Sequence, residues 1–263
     1  MKKLLFFLAC IFGGACSQNM QELGTEMQIN QYLKDVDIGI LYCNCTEPLT
    51  LSFSYPVKPG MDEWKQLQSI EEMVNACQIP ESIISSLSTK ELMAICLQYP
   101  LLFTVFAYNN YDDGIDKLFN DFNGIRELFK RQEVSNELLS WYKCQIENFS
   151  FLDGEFIPEV EKGFFVISTS ILEALLSRCE SKEHYGEILQ NLVVGYEKKL
   201  EYNDFFAVFG VETNFFSRAH IIHKMCEQCF KEFPQIDENK FLSSHFEKQT
   251  MDAINKLSYQ LIN

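Results

Sequence analysis

DDGIDKLFNDFNGIRELFKR, residues 112–131, carries the clearest helical pattern in the chain. Its apolar residues recur at steps of three and four, which places them on one face of a helix: Ile115, Leu118, Phe119, Phe122, Ile125 and Phe129. Three aspartates stand at its start, and Lys130 and Arg131 stand at its end. The helix dipole favours that arrangement of charge. The stretch therefore predicts one amphipathic helix.

The same period continues on both sides of this stretch, from Met61 to the end of the chain. Ser88 to Glu91 and Ser244 to Glu247 match the capping box, in which the Ser oxygen accepts a backbone N–H and the Glu returns the bond. Apolar stripes follow the helical period in six further stretches: 61–77, 92–96, 138–142, 164–179, 188–200 and 215–230. The sequence predicts a mainly α protein of about eight or nine helices. Antiparallel helix pairs are expected, and a loose α-solenoid is one arrangement of them.

Residues 38–59 follow a different pattern. Leu51, Phe53 and Tyr55 alternate with serines, which is the period of an extended strand. Three prolines interrupt this stretch. It predicts a short β-hairpin or an irregular extended arm in front of a helical domain over residues 60–263. The stretch 147–163 is the candidate boundary between two halves of that domain.

The N-terminus predicts export. Lys2 and Lys3 precede nine apolar residues, a run too short to span a bilayer, and small residues follow. Residues 1–15 therefore have the character of a signal peptide, with residues 16–37 as a polar tether.

Two processing sites remain open. Cys16 after small residues resembles the lipidation site of bacterial lipoproteins, although Gly13 stands where that pattern has Leu. Ala15 and Ser17 satisfy the small-x-small rule for ordinary cleavage after Ser17. The first reading gives a membrane-anchored lipoprotein, and the second gives a soluble protein of the periplasm or medium.

Composition excludes several classes of protein. The 263 residues carry a net charge of −15, and loss of the signal with its two lysines makes it −17. Such an acidic chain does not suit nucleic acid or a basic patch on anionic lipid. A hydrophobic fraction of 47% argues against disorder. Contact with a membrane is expected only through an N-terminal lipid.

Ten cysteines are present, and an exported protein can form disulfides from them. Cys77, Cys96 and Cys179 lie on apolar helical faces and are expected to be small buried hydrophobes. Cys43 and Cys45 lie in the arm, and one of them is a candidate to bridge to a helix cysteine. The number of pairings leaves the connectivity open.

Residues 220–229 place His220, His223, Cys226 and Cys229 at every third position. The set looks like a zinc site, but nine residues turn a helix by about 900°, so its ends point in opposite directions. We interpret the stretch as one core helix with two buried cysteines. A three-ligand metal site of His220, His223 and Cys226 and a local disulfide are the alternatives. No cofactor is predicted, because phosphate loops and nucleophile elbows are missing from the sequence.

Residues 109–114 evoke a calcium loop but lack its ligand spacing, so we read them as an acidic helix start. Asn and Tyr side chains beside a helix turn are adaptable contact residues, and they serve equally well as local caps. The candidate partner surface consists of Tyr108, Asn109, Asn110, Tyr111, Asn123 and Arg126.

Several pieces between Glu63 and Arg131 resemble a group of exported helical proteins and lipoproteins of Gram-negative anaerobic bacteria. They are EWK (63–65), STKEL (88–92), QYP (98–100), FAYNNY (106–111) and FNGIREL (122–128). The resemblance covers about a quarter of the chain and implies an exported helical protein. It carries over no catalytic residue.

Two functions follow as expectations. The first is a non-enzymatic binding or scaffold protein of the cell envelope, with an envelope protein or a glycan as partner. The alternative is an envelope enzyme or metal-binding protein that uses His220, His223 and Cys226 or Cys229.

Overall fold

The structure, a computed structural model, describes residues 51–108, 110–155, 157, 159–206, 210–232 and 247–262. These residues form twelve α-helices, four short 3-10 helices and no strand. The prediction of a mainly α protein is therefore confirmed. The predicted signal, Cys16, the tether, residues 38–50 of the arm and the Ser244 cap lie outside the described residues.

Seven α-helices precede residue 150: α1 (Asp62–Gln66), α2 (Ile70–Ala76), α3 (Glu81–Ile84), α4 (Thr89–Leu97), α5 (Tyr111–Asp121), α6 (Asn123–Leu128) and α7 (Val134–Glu147). Five follow: α8 (Glu159–Leu176), α9 (Tyr185–Glu201), α10 (Asn203–Phe206), α11 (Gly210–Met225) and α12 (Lys248–Ile262). The 3-10 helices are Leu102–Ala107, Phe149–Asp153, Lys182–His184 and Glu227–Glu232.

The single helix predicted over residues 112–131 is wrong, because the chain breaks at Phe122. This residue is extended, with φ −113° and ψ 116°, and it separates α5 from α6. Its buried ring stacks on Tyr99 at a centroid distance of 3.9 Å. The extended residue turns the ring into the core, and a continuous helix does not make that contact. The helix predicted over 61–77 is also broken, and Ser69 caps its second part, α2.

The described part of the arm, residues 51–59, forms neither helix nor strand and packs on the helices. The Glu91 carboxylate accepts hydrogen bonds from the backbone N and Oγ of Ser52, at 2.9 and 2.6 Å. The Tyr55 hydroxyl donates to the Ile95 carbonyl. Ser88 caps α4 by accepting from the Glu91 backbone N–H, as the sequence predicts. The predicted return bond from Glu91 is replaced by the bonds to Ser52, which also lower the pKa of Glu91.

The core runs through the whole set of helices. Helix α7 packs on α4, α8 and α9, and α11 packs on α8, α9 and α12. Cys77, Cys96 and Cys179 are free thiols with no exposed surface, which confirms their expected burial. No helix formed by the described residues is long and apolar enough to cross a membrane.

The continuous core helix predicted over 215–230 is wrong at its end. Helix α11 stops at Met225, and Cys226 and Cys229 are joined in a disulfide. The Cys229 N–H bonds to the Cys226 carbonyl at 3.0 Å, so a 3-10 turn replaces the α-helix. The turn brings the two Cα atoms to 5.4 Å. Both cysteines are partly buried rather than fully enclosed.

Candidate functional site

Three residues of the predicted partner surface form hydrogen bonds within the chain. Asn110 caps α5, since its Oδ1 accepts from the Asp113 N–H at 2.7 Å. Arg126 donates through Nη1 to carbonyls of the last turn of α5. Tyr111 is buried and Tyr108 is 38% exposed, while Asn109 lies outside the described residues. A role of this surface in binding stays a prediction.

Asn123, the third of these residues, forms what we call the amide clamp with Gln78 and Ile79. Its Oδ1 accepts from the Ile79 N–H at 3.0 Å, and its Nδ2 donates to the Ile79 carbonyl at 2.7 Å. The backbone N–H of Asn123 donates to Gln78 Oε1 at 3.1 Å. The clamp therefore fixes the start of α6 to the loop between α2 and α3 with neutral groups alone.

The histidines and cysteines of residues 220–229 do not converge. His220 Nε2 lies 3.4 Å from Asp112 Oδ2, and Arg178 donates to the other oxygen of that carboxylate. Cys226 is bound to Cys229, and a disulfide sulfur is not the thiolate that binds zinc. Among the described residues, no three His, Cys, Asp or Glu side chains are placed to hold a metal ion.

The most unusual feature of the described core is a set of three charged side chains with no exposed surface. They are Glu173 on α8, Lys199 on α9 and Arg218 on α11. We call these three residues the charged cluster. Isolated ions are costly in a protein interior, and buried ions are tolerated where partners satisfy them. The partners of each group therefore decide what the cluster can do.

The Glu173 carboxylate accepts four hydrogen bonds. Tyr142 Oη and Asn214 Nδ2 donate to Oε1 at 2.7 and 2.9 Å. Lys199 Nζ and Thr213 Oγ1 donate to Oε2 at 2.5 and 2.8 Å. A carboxylate has about four lone-pair sites, so Glu173 is fully satisfied. Four helices, α7, α8, α9 and α11, meet at this one group.

The surrounding residues fit this carboxylate closely. Ser217 Oγ donates to the Glu173 carbonyl at 2.6 Å, and Asn214 Nδ2 also donates to the Leu192 carbonyl. Gly195 on α9 gives room to Tyr142, because a Cβ at that position would lie 2.8 Å from Tyr142 Cζ. The α9 backbone can approach the ring only with glycine at residue 195.

Burial shifts the titration of the groups around Glu173. It raises the pKa of Tyr142 well above its usual value, and the Glu173 charge raises it further. Burial lowers the pKa of Lys199, while the paired Glu173 opposes that shift. The Lys199 ammonium also lies 5.1 Å from the Phe206 ring centroid. The short contact to Glu173 favours a charged pair in the core.

Arg218 is the member of the cluster with few partners. Its Nη1 lies 3.5 Å from Ser258 Oγ on α12, and its Cζ lies 4.7 and 4.5 Å from the ring centroids of Tyr196 and Phe215. Its Nε and Nη2 have no hydrogen-bond partner among the described residues. Burial lowers its pKa to about 10, so the guanidinium is charged at neutral pH.

Sequence reasoning missed this cluster because hydrophobic periodicity treats charged residues as surface. One signal was present: residues 213–218 place Thr, Asn, Ser and Arg within a helix whose neighbours on both sides are aromatic or apolar. When polar residues occur all around a helix that is buried, some of them must form hydrogen bonds inside the protein.

Comparison with known protein families, curated protein sequences and solved structures finds no significant match for this chain.

Proposed function

We propose that this chain is an exported, non-enzymatic helical protein of the cell envelope that binds or organises a partner there. The disulfides carry the proposal. Cys226 and Cys229 are joined in a disulfide, and Cys144 is disulfide-bonded as well. Structural disulfides persist outside the reducing cytoplasm. Together with the signal-like N-terminus, they favour an envelope or extracellular location.

The chemistry of the described residues supports a binding role rather than covalent catalysis. Burial raises the pKa of the Cys77 thiol to about 12 and that of Cys179 to about 11. Nucleophilic cysteines need a low pKa and access to solvent, and these two have neither. Glu173 has no free lone pair for a general base.

The finer architecture belongs to the same proposal. We infer antiparallel packing of successive helices, in the manner of a loose solenoid, with the arm laid along α4. Anchoring through a lipid on Cys16 would place this body at a membrane surface, and a partner would be an envelope protein or a glycan.

Mass spectrometry of the natural protein tests export. We expect a mature chain that starts at Cys16 with a lipid adduct or at Gln18 without one. Alkylation before and after reduction is expected to show Cys144, Cys226 and Cys229 protected as disulfides. A full-length chain starting at Met1 with every thiol free contradicts the proposal.

Site-specific photocrosslinking tests the partner surface. Tyr108 and Val194 are both 38% exposed, so they form a matched pair of positions for a photoreactive residue. In cells, we expect a discrete adduct from position 108 and none from position 194. Equal labelling from both positions, or none from either, contradicts a partner surface at Tyr108.

A further inference from the structure

The hydrogen-bonding edge of Arg218 points to a ligand. In a guanidinium, the N–H of Nε and one N–H of Nη2 point in the same direction and form a fork that matches the two oxygens of a carboxylate. These are the two nitrogens of Arg218 that find no partner in the described part of the chain, and the side chain has no exposed surface. Buried donors are nearly always satisfied, and an unsatisfied pair requires an explanation.

No group of the described residues near Arg218 accepts a hydrogen bond from that edge. Tyr196 and Phe215 present aromatic rings, which attract a cation but are not the strong acceptors that an in-plane N–H seeks. Ser258 lies at Nη1, on the other part of the group. Glu173 is the one buried carboxylate among the described residues, and its four lone-pair sites are occupied.

The charge of the cluster favours an anion. Two cations, Lys199 and Arg218, share the described core with one anion, Glu173. The cluster therefore carries one net positive charge in a medium that penalises unbalanced charge. A singly charged anion balances the cluster, and a planar one fits the fork.

We propose that the Nε–Nη2 edge of Arg218 is a buried binding site for a small monocarboxylate, enclosed by α9, α11 and α12. The proposal deepens the binding function proposed above and rests on it, by giving that function a ligand class. Arg218 supplies two parallel N–H donors to the carboxylate, and the rings of Tyr196 and Phe215 lie against the guanidinium.

Helix α12 is the part that must move for entry. It reaches the site through Ser258, and the Tyr259 hydroxyl donates to Glu197 on α9 at 2.7 Å. Tyr259 is 39% exposed, so this bond lies at the rim of the site. Binding is therefore expected to be slow to reach equilibrium.

Equilibrium dialysis of the purified full-length chain with radiolabelled acetate tests the proposal, at constant ionic strength and with equilibration overnight. We expect saturable uptake of one acetate per chain. Acetamide, which has the same shape without the charge, is expected not to compete. Sulfate carries two negative charges against one net positive charge in the cluster, so it is expected to compete more weakly than acetate. No saturable uptake, or equal competition by acetamide or sulfate, overturns the proposal.

Two variants locate the site. Arg218→Lys keeps the charge and removes the fork, so acetate binding is expected to weaken about ten-fold or more. Arg131→Lys is the control, because Arg131 donates to the Leu87 and Ile84 carbonyls, far along the chain from Arg218. The control is expected to bind acetate as the wild type does. Unchanged acetate affinity in Arg218→Lys contradicts the site.

The test separates this inference from the proposed function. If Arg218→Lys does not fold, the discrimination between acetate and acetamide by the wild-type chain still decides the outcome. Failure of acetate binding leaves the results of export and crosslinking unaffected. Negative export or crosslinking results leave the dialysis measurement unaffected, because dialysis uses purified protein.

Discussion

The amide clamp and the charged cluster hold their helices together by different means. The clamp joins Asn123 to Gln78 and Ile79 through three neutral hydrogen bonds, and each donor finds an acceptor. Together with its hydrogen-bond partners, Ser258 on α12 included, the cluster joins five helices. Two nitrogens of Arg218, Nε and Nη2, have no partner among the residues that the structure describes. Neutral hydrogen bonds hold two segments together at a small desolvation cost. Burying a charge has a large desolvation cost, which only a partner or a ligand offsets.

The two arginines sharpen this contrast. Arg131 donates through Nη1 and Nη2 to the Leu87 and Ile84 carbonyls, at 2.6 and 3.1 Å. It therefore ties α3 and the turn after it to the turn that follows α6. Arg218 is more deeply buried and makes fewer bonds. A purely structural arginine is expected to resemble Arg131, which is why Arg218 indicates a ligand.

The largest effect is expected from breaking the charged cluster at Glu173. Glu173→Gln leaves Lys199 and Arg218 as uncompensated buried cations and should lower the free energy of unfolding by about 3–5 kcal/mol. Glu180→Gln is the control, because Glu180 is 81% exposed and pairs with Lys224 at the surface, where such a pair contributes at most about 1 kcal/mol. Urea unfolding measures both. If Glu173→Gln lowers the free energy of unfolding no more than Glu180→Gln does, the charged cluster does not stabilise the core as described.

The next effect is expected from the amide clamp. Asn123→Ala leaves the N–H and the carbonyl of Ile79 without their partner, which should cost about 1–3 kcal/mol. Asn120→Ala provides the comparison, since the exposed Asn120 uses its backbone carbonyl and not its side chain to bind Arg126. Thermal and urea unfolding should rank Asn123→Ala clearly below Asn120→Ala. Equal stability of the two variants would show that the hydrogen bonds of the Asn123 side chain do not stabilise the fold.

A smaller effect is expected from the disulfide. Cys226 and Cys229 close a short loop. A disulfide stabilises less the shorter the loop that it closes, because it removes less entropy from the unfolded chain, so this one should contribute below about 2 kcal/mol. The Cys226→Ala, Cys229→Ala double variant should therefore lose less stability than Glu173→Gln. Hydrogen exchange should show the loss concentrated at the end of α11. Global unfolding of the double variant would be the contrary result.

The smallest effect is expected at the start of α5. Asn110→Ala removes the acceptor for the Asp113 N–H and should cost about 1 kcal/mol. Asn110→Asp retains an oxygen at the same place and should cost less. If the two variants lose equal stability in urea unfolding, the cap is not the reason for asparagine at this position.

Local features of the fold were predictable from the sequence. The cap at Ser88 and the burial of Cys77 and Cys96 could be predicted from the pattern of residues within one or two helical turns, and both are confirmed. The break at Phe122 was not predictable, because it depends on residues about two helices away. Asn123 bonds to Ile79 across 44 positions, and the Phe122 ring stacks on Tyr99.

The charged cluster escaped prediction for a related reason. On α9, Leu200 continues the apolar stripe in the sequence, yet it is 49% exposed and Lys199 is buried in its place. Hydrophobic periodicity alone cannot tell which of two adjacent residues is buried when the buried one is charged. Only the acceptor on α8, Glu173, makes Lys199 the inward residue.

A crystal structure of the protein grown with acetate as the sole carboxylate tests the central claim, that the Arg218 edge is a site and not a structural contact. We expect bound acetate with its two carboxylate oxygens about 2.7–2.9 Å from Nε and Nη2 of Arg218. A lone water at that edge, or a carboxylate of the protein itself, would contradict the claim.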